Sequence, residues 1–136
     1  MVKLIAYSLK LTAIMYEIFV ESHIDAAHYL REYNGKCENL HGHRYKIVAR
    51  VKTDKLNDIG LAFDYTELKK HLNAILDKYD HTCLNDLPAF AKLNASSENL
   101  AAVVYKELKK KLIKLPVKLA AVEVWETPTQ GVSYTE

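Results

Sequence analysis

Only four glycines and three prolines occur among 136 residues. The chain therefore has few points at which it could break into separate domains or run as a linker. Cysteine is scarcer still. Two thiols cannot build a disulfide framework, which points to a reducing, cytoplasmic setting. Neither sign of charge dominates: 19 basic residues against 17 acidic ones leave a formal net charge of +2. That balance gives no reason to expect nucleic acid or an anionic membrane as a partner. Long apolar runs are missing as well. Met1 to Val20 is apolar but interrupted by Lys10 and Glu17, so it falls short of the ~20 uninterrupted residues of a membrane span. It also lacks the small-residue cleavage site of a signal peptide. There are no internal repeats and no low-complexity tracts. What remains is 49% hydrophobic and 26% charged, ordinary values for a globular protein that argue against disorder. The expectation is one soluble domain over residues 1–136.

Residues from Leu11 to about Ile24 are rich in β-branched and aromatic types, which suits a strand. The stretch His43 to Thr53 is clearer. His43, Tyr45, Ile47, Ala49 and Val51 alternate with Arg44, Lys46, Arg50 and Lys52, predicting a strand with one buried face and one wet face. Tyr65, Leu68, Leu72, Ile75, Leu76 and Tyr79 recur at helical spacing. Asp64 is placed to cap that helix, and Glu67 to complete a capping box. A second helix begins near Ser96 or Ser97, carries Leu100, Val104, Leu108 and Leu112, and ends before Pro116. Lys109 to Lys111 are its solvated face. Val117 to Thr127 reads as a third strand and, after turn signals at Pro128 to Gly131, Val132 to Tyr134 as a fourth. The order β-β-α-α-β-β predicts an α+β fold, an antiparallel sheet with both helices on one face. Its two open edges predict a homo-oligomer joined edge to edge.

His41-Gly42-His43 stands at the start of the second strand, and residues two apart in a strand project from the same face. His28 lies at the far end of the first strand. If the two strands are antiparallel neighbours joined by residues 29–40, His28 lies beside the pair and three imidazoles converge. Three neutral imidazoles suit zinc and leave a fourth position open. His23 is an odd number of residues from His28 and should point the other way. His71 sits on a lysine-rich stretch of helix with no partner in view. Cys37 lies in the loop between the candidate ligands. It either closes the coordination sphere as a fourth ligand or stays beside the cation as a thiolate able to take a proton. Spacing does not decide between them. Cys83 reads as a small buried or half-buried side chain.

Several motifs follow one another in a familiar order: Ala26-Ala27-His28, Cys37 with His41-Gly42-His43, and Gly60 to Tyr65. Asp80-His81 with Leu84-Asn85, then Ser97 to Ala101, and finally Glu126-Thr127 complete the set. From about residue 12 to the C-terminus the chain resembles the 6-pyruvoyltetrahydropterin synthase family, most closely its 6-carboxytetrahydropterin synthase branch. The resemblance implies the tunnelling fold (T-fold), in which trimers of such subunits close a barrel and two trimers stack as a hexamer, with active sites at subunit interfaces. It implies zinc on His28, His41 and His43, and Cys37 as catalytic base. Asp80 and His81, reaching in from a neighbouring subunit, would form a proton relay, and Glu126 would hold the pterin ring. The implied reaction is elimination of triphosphate from 7,8-dihydroneopterin triphosphate, with side-chain cleavage releasing acetaldehyde, on the route to queuosine and other 7-deazaguanine nucleosides.

Some positions depart from the family's usual pattern. Pro-Thr ahead of Ser-Glu-Asn is Ala95-Ser96 here; Ser96 keeps a hydroxyl for helix capping and for a contact to the pterin. Glu38 follows Cys37, and family members that make 6-hydroxymethyl-dihydropterin use a glutamate near this position. The other expectations are therefore a 6-pyruvoyltetrahydropterin product, or a hydroxymethyl product assisted by Glu38. A non-enzymatic, zinc-stabilised pterin-binding protein is a further reading, in which Cys37 would be a zinc ligand.

Overall fold

The computed structural model describes residues 15–136. The start of the expected first strand, 11–14, lies outside the described residues. From Tyr16 the strand is continuous to His28 (β1), running four residues beyond Ile24. β2 covers His41–Thr53, α1 Tyr65–Leu76, α2 Ser97–Leu112, β4 Lys118–Thr127 and β5 Gln130–Tyr134. A further two-residue strand, β3 (Thr82–Cys83), pairs in parallel with Ala26 and Ala27 of β1. The sheet order is β3-β1-β2-β4-β5, antiparallel except at that edge. The expected four-stranded sheet thus gains a fifth strand. Two residues carry no periodicity, so a strand this short leaves no mark in the sequence.

Alternation along β2 sets the two faces of the sheet. Tyr45, Ile47, Ala49 and Val51 are buried in one cluster with Leu68, Leu72 and Ile75 of α1 and Leu100, Val104 and Leu108 of α2. Both helices therefore cover the same face, and each large side chain so buried contributes about 1.5–3 kcal/mol. Asp64 caps α1 by accepting a hydrogen bond from Thr66 N–H at 2.8 Å. Glu67 does not close the expected capping box; it lies 3.8 Å from His71, giving that histidine the partner the sequence did not suggest. Ser96 caps α2, its hydroxyl accepting from Asn99 N–H at 3.2 Å.

The opposite face is charged but not uniformly wet. Val48 is buried there between its cross-strand neighbours Glu21 and Glu123. The Arg50 guanidinium lies 4.7 Å from the Phe19 ring centre, and Lys46 Nζ 4.6 Å from that of Trp125. Burial pushes the Glu123 carboxyl up, but hydrogen bonds from Arg50 and Trp125 outweigh it and hold the group below its ordinary value. Among the described residues no helix is long and apolar enough to cross a membrane.

β4 and β5 lose register between Trp125 and Thr127, which leaves Glu126 as the extra, unpaired residue of a bulge. Gly131 sits opposite. A Cβ there would fall 2.9 Å from the Val124 carbonyl oxygen and 2.8 Å from the Trp125 ring. The backbone oxygen cannot swing aside as a side chain could. Gly131→Ala is expected to lower stability by about 1–3 kcal/mol, the usual cost of overpacking. Urea denaturation followed by Trp125 fluorescence reads it, and an unchanged midpoint would refute the close approach.

Candidate metal centre and active site

The antiparallel register of β1 and β2 sets His28 opposite His41 and Ala26 opposite His43. All three imidazoles therefore leave the sheet on one side, at its end. Their ring centres are 4.5, 4.9 and 5.1 Å apart, and one ring nitrogen from each lies within 4.8 Å of the others. His28 is 1% exposed. The outer nitrogens are fixed by the main chain: His28 Nδ1 is 2.6 Å from the Ala95 carbonyl oxygen, and His41 Nδ1 is 2.7 Å from that of Asn39. A carbonyl can only accept, so each Nδ1 carries a proton, and in the neutral ring each Nε2 turns a lone pair inward. Those two Nε2 atoms are 3.0 Å apart. His43 Nε2 is buried with no hydrogen-bond partner among the described residues. Two lone pairs at that separation, beside a third unpaired nitrogen, repel one another unless a cation stands between them. The donor set fits a divalent ion with nitrogen preference.

Charges around the cluster agree. Burial holds the His43 ring below its ordinary value, and the neighbouring His28 and His41 add to that, against an opposing pull from Glu126. That direction favours the neutral ring, the form that binds metal. Glu126 Oε1 lies 3.7 Å from the Nε2 atoms of both His28 and His43. The bulge thus aims a carboxylate at the site. Tyr45, from the next turn of the β2 alternation, forms the floor, its ring 5.3 Å from that of His43 and its hydroxyl buried without a partner.

A cavity of about 300 Å³ opens beside Glu126 and is also lined by Leu30, Tyr33, Cys37, Ser96 and Gln130. That volume falls at the lower end of small-molecule sites. Cys37 lies on a short 3-10 turn, Lys36–Glu38, and is a half-buried free thiol. Its sulfur is not part of the cluster of converging ligand atoms. Glu38 is exposed and does not line the cavity. His28, His41, His43, Glu126, Cys37 and Ser96 thus come together at one end of the sheet.

Asp80 and His81 are held elsewhere. His81, with Asp25, Gly42, His43 and Arg44, lines a second, open depression, and Asp80 lies beside it against Asp25 and His81. His81 has the left-handed φ of 59°, and its N–H donates to the Asp25 carbonyl at 2.6 Å. Asp80 divides its carboxylate: Oδ1 accepts from Asp25 N–H at 2.9 Å, and Oδ2 is 2.9 Å from His81 Nδ1. These bonds, that from Asp25 first, hold the Asp80 carboxyl below its ordinary value. The side chain of His81 is 76% exposed. As expected, His23 is exposed on the other face of β1. Sequence reasoning missed Ala95 and Asn39, which act through main-chain carbonyls that no residue type announces, and saw Tyr45 only as a core residue.

Elemental analysis after a chelator wash is expected to find one divalent ion per chain in the native protein and none in His28→Ala or His43→Ala. Metal retained by both variants would refute the three-imidazole centre.

Comparison with known proteins bears on what such a site serves. The family model of 6-pyruvoyl tetrahydropterin synthase matches residues 17–136. The 6-carboxy-5,6,7,8-tetrahydropterin synthase of Bacillus subtilis (strain 168) is 35% identical over 126 residues, covering 88% of this chain and 84% of its own. The 6-pyruvoyl tetrahydrobiopterin synthase of Homo sapiens is 37% identical over 105 residues, 74% of this chain and 70% of its own. Among solved structures, the 6-pyruvoyl tetrahydropterin synthase of Caenorhabditis elegans superposes with a TM-score of 0.81 at 27% identity, covering 90% of this chain and 96% of that one. Sequence and architecture agree from β1 to the C-terminal hairpin, and the chain belongs to the 6-pyruvoyl tetrahydropterin synthase family.

Proposed function

We propose that the protein is a zinc-dependent 6-carboxy-5,6,7,8-tetrahydropterin synthase. It would act on 7,8-dihydroneopterin triphosphate, eliminating triphosphate and releasing acetaldehyde, in the formation of queuosine and related 7-deazaguanine nucleosides. The observation that carries this reading is a free thiol in a cavity whose wall, at Glu126, adjoins three converging imidazole nitrogens. Bound zinc would supply Lewis acidity to the side-chain hydroxyls of the substrate.

The residues divide the remaining work. Glu126 offers two acceptor oxygens in the cavity wall, suited to the 2-amino and ring N–H groups of a pterin. Ser96, at the cap of α2, offers a hydroxyl beside it. Cys37 takes a proton from the substrate side chain, and His81, oriented by Asp80, supplies or relays one. His81 does not line the Cys37 cavity, so in this reading it serves the site of a neighbouring subunit. Assembly has the edges it needs. Among the described residues β3 covers only Ala26 and Ala27 of β1, and Met15, Tyr16 and Phe19 are exposed at the other end of that strand. At the other side of the sheet β5 is the outermost strand. Edge-to-edge joining through β1 and β5 into trimers, stacked as a hexamer, uses both. Two free cysteines fit a cytoplasmic setting.

The second reading is a 6-pyruvoyl product, favoured by the likeness to the human relative. A hydroxymethyl product assisted by Glu38 has less support, because that side chain is exposed outside the cavity. A purely structural zinc site needs Cys37 as a ligand, and its sulfur stands outside the cluster.

Incubation of the zinc-loaded protein with 7,8-dihydroneopterin triphosphate is expected to yield 6-carboxytetrahydropterin and acetaldehyde. Cys37→Ala should keep its zinc and lose about 100- to 10,000-fold in turnover, the range for a general base. A pyruvoyl product, or normal turnover by that variant, would overturn the reading. Mixing unfolded Cys37→Ala and His81→Ala chains and refolding them together is expected to restore activity absent from either alone. Lack of restoration in mixed oligomers would place both residues in one chain's site.

A further inference from the structure

Past His28 the first strand loses its sheet partners, since β3 reaches only Ala27. The backbone groups of the next residues are nevertheless taken up in turn. Tyr29 N–H donates to Asn85 Oδ1 at 3.0 Å, and Asn85 Nδ2 donates back to the Tyr29 carbonyl at 3.0 Å. Two residues later Asn94 repeats the pattern. Arg31 N–H donates to Asn94 Oδ1 at 2.9 Å, and Asn94 Nδ2 returns a bond to the Arg31 carbonyl at 3.1 Å. A carboxamide presents the same donor and acceptor as a peptide group, so each asparagine supplies one rung of a missing strand. The residue between them faces the other way, as alternation in a strand requires. Leu30 N–H donates to the carbonyl of Cys37 at 2.8 Å.

Both asparagines are themselves anchored. Asn85 is buried in the turn that follows β3. The Asn94 carbonyl accepts from Asn99 Nδ2, in the first turn of α2, at 2.9 Å. The Arg31 guanidinium donates to the carbonyls of Asn85, Phe90 and Leu93 at 3.4, 3.0 and 3.2 Å, tying the Asn85 and Asn94 segments together.

We propose that Asn85 and Asn94 are positioning residues for Cys37: their carboxamides hold residues 29–31 extended, and through the Leu30 bond they set where the thiol enters the cavity. The proposal deepens the reading of Cys37 as the proton acceptor and rests on it. The bonds of the 3-10 turn itself, Glu38 N–H to Gly35 and Asn39 N–H to Lys36, shape the turn but do not tie it to the sheet; the Leu30 bond does. An error of about 1 Å in such a group can cost about 100-fold in rate.

The test uses the zinc-loaded, full-length protein. Asn94→Ala is expected to lower kcat for triphosphate elimination about 100-fold with KM changed less than about threefold, because it displaces a proton acceptor and leaves the groups that bind substrate in place. In native-state hydrogen exchange the amide of Leu30, which Asn94 does not touch, is expected to exchange about tenfold faster, while the core amides of β2 keep their protection. Asn94→Asp retains the acceptor for Arg31 N–H but loses the donor, and is expected to fall between the two. Wild-type kcat with a protected Leu30 amide in Asn94→Ala would overturn the proposal. So would uniform loss of protection across β2, which would mark a simple loss of stability. Cys37→Ala, measured alongside, keeps the two claims apart. Normal turnover by that variant removes the base assignment, while exchange at Leu30 still decides whether Asn94 holds the Cys37 turn.

Discussion

The antiparallel register of β1 and β2 is the constraint on which the site depends. With His28 opposite His41, three rings share one side of the sheet. Slipping the pairing by one residue would send His41 and His43 to the far face, along with Tyr45, Ile47, Ala49 and Val51. Core and imidazole cluster are therefore selected by one and the same alternation. A chain that buries its β2 side chains correctly has, without further cost, aligned its ligands. This also explains why the cluster stands at the end of the sheet: it is the continuation of the core stripe to the point where the stripe meets solvent and a ligand can enter.

Register brings the rings together, and main-chain carbonyls decide what they can do. Ala95 and Asn39 fix the protons on the outer nitrogens and so turn lone pairs inward. The resulting arrangement is electrostatically unfavourable alone, with two Nε2 atoms 3.0 Å apart and a buried, unpartnered third. Such frustration is relieved by a cation, and it is tolerated because the core and the helix cap of α2 determine the backbone that carries it. The Ala95 carbonyl belongs to the segment that Ser96 terminates as the cap of α2. Replacing the more usual Pro-Thr by Ala95-Ser96 thus leaves both the carbonyl and the capping hydroxyl in position.

Much of this was legible in the residues. The period of two in β2, the helical stripes of α1 and α2 and the paired histidines each express one burial pattern repeated over many positions, and all recur in the structure. What escaped detection has no such repetition. β3 is two residues long; the bulge that aims Glu126 is a local slip of register; the capping box failed because Glu67 turned to His71. Ala95 and Asn39 contribute peptide groups, which every residue has. Asn85 stands in a motif without a stated role and Asn94 draws no reading at all, because only three-dimensional contact reveals that their side chains replace a strand. Sequence periodicity reports average environment, whereas active-site geometry is made by exceptions to it.

His81 extends this logic beyond the single chain. Its backbone is held at a left-handed φ by a bond to Asp25, its ring is fixed by Asp80, and Asp80 is fixed in turn by Asp25. An exposed side chain gains nothing for folding from being held so firmly, and the left-handed conformation costs roughly 1–3 kcal/mol. His81 does not line the Cys37 cavity of its own chain. In the proposed assembly its ordering would serve a neighbour's site. A ring already oriented when it meets a neighbour's cavity avoids the entropy of ordering at the moment of reaction. In the proposed trimer the strain at His81 and the bare edge of β1 would share one explanation: acid and base kept apart in the subunit and brought together by the sheet edges that join the subunits.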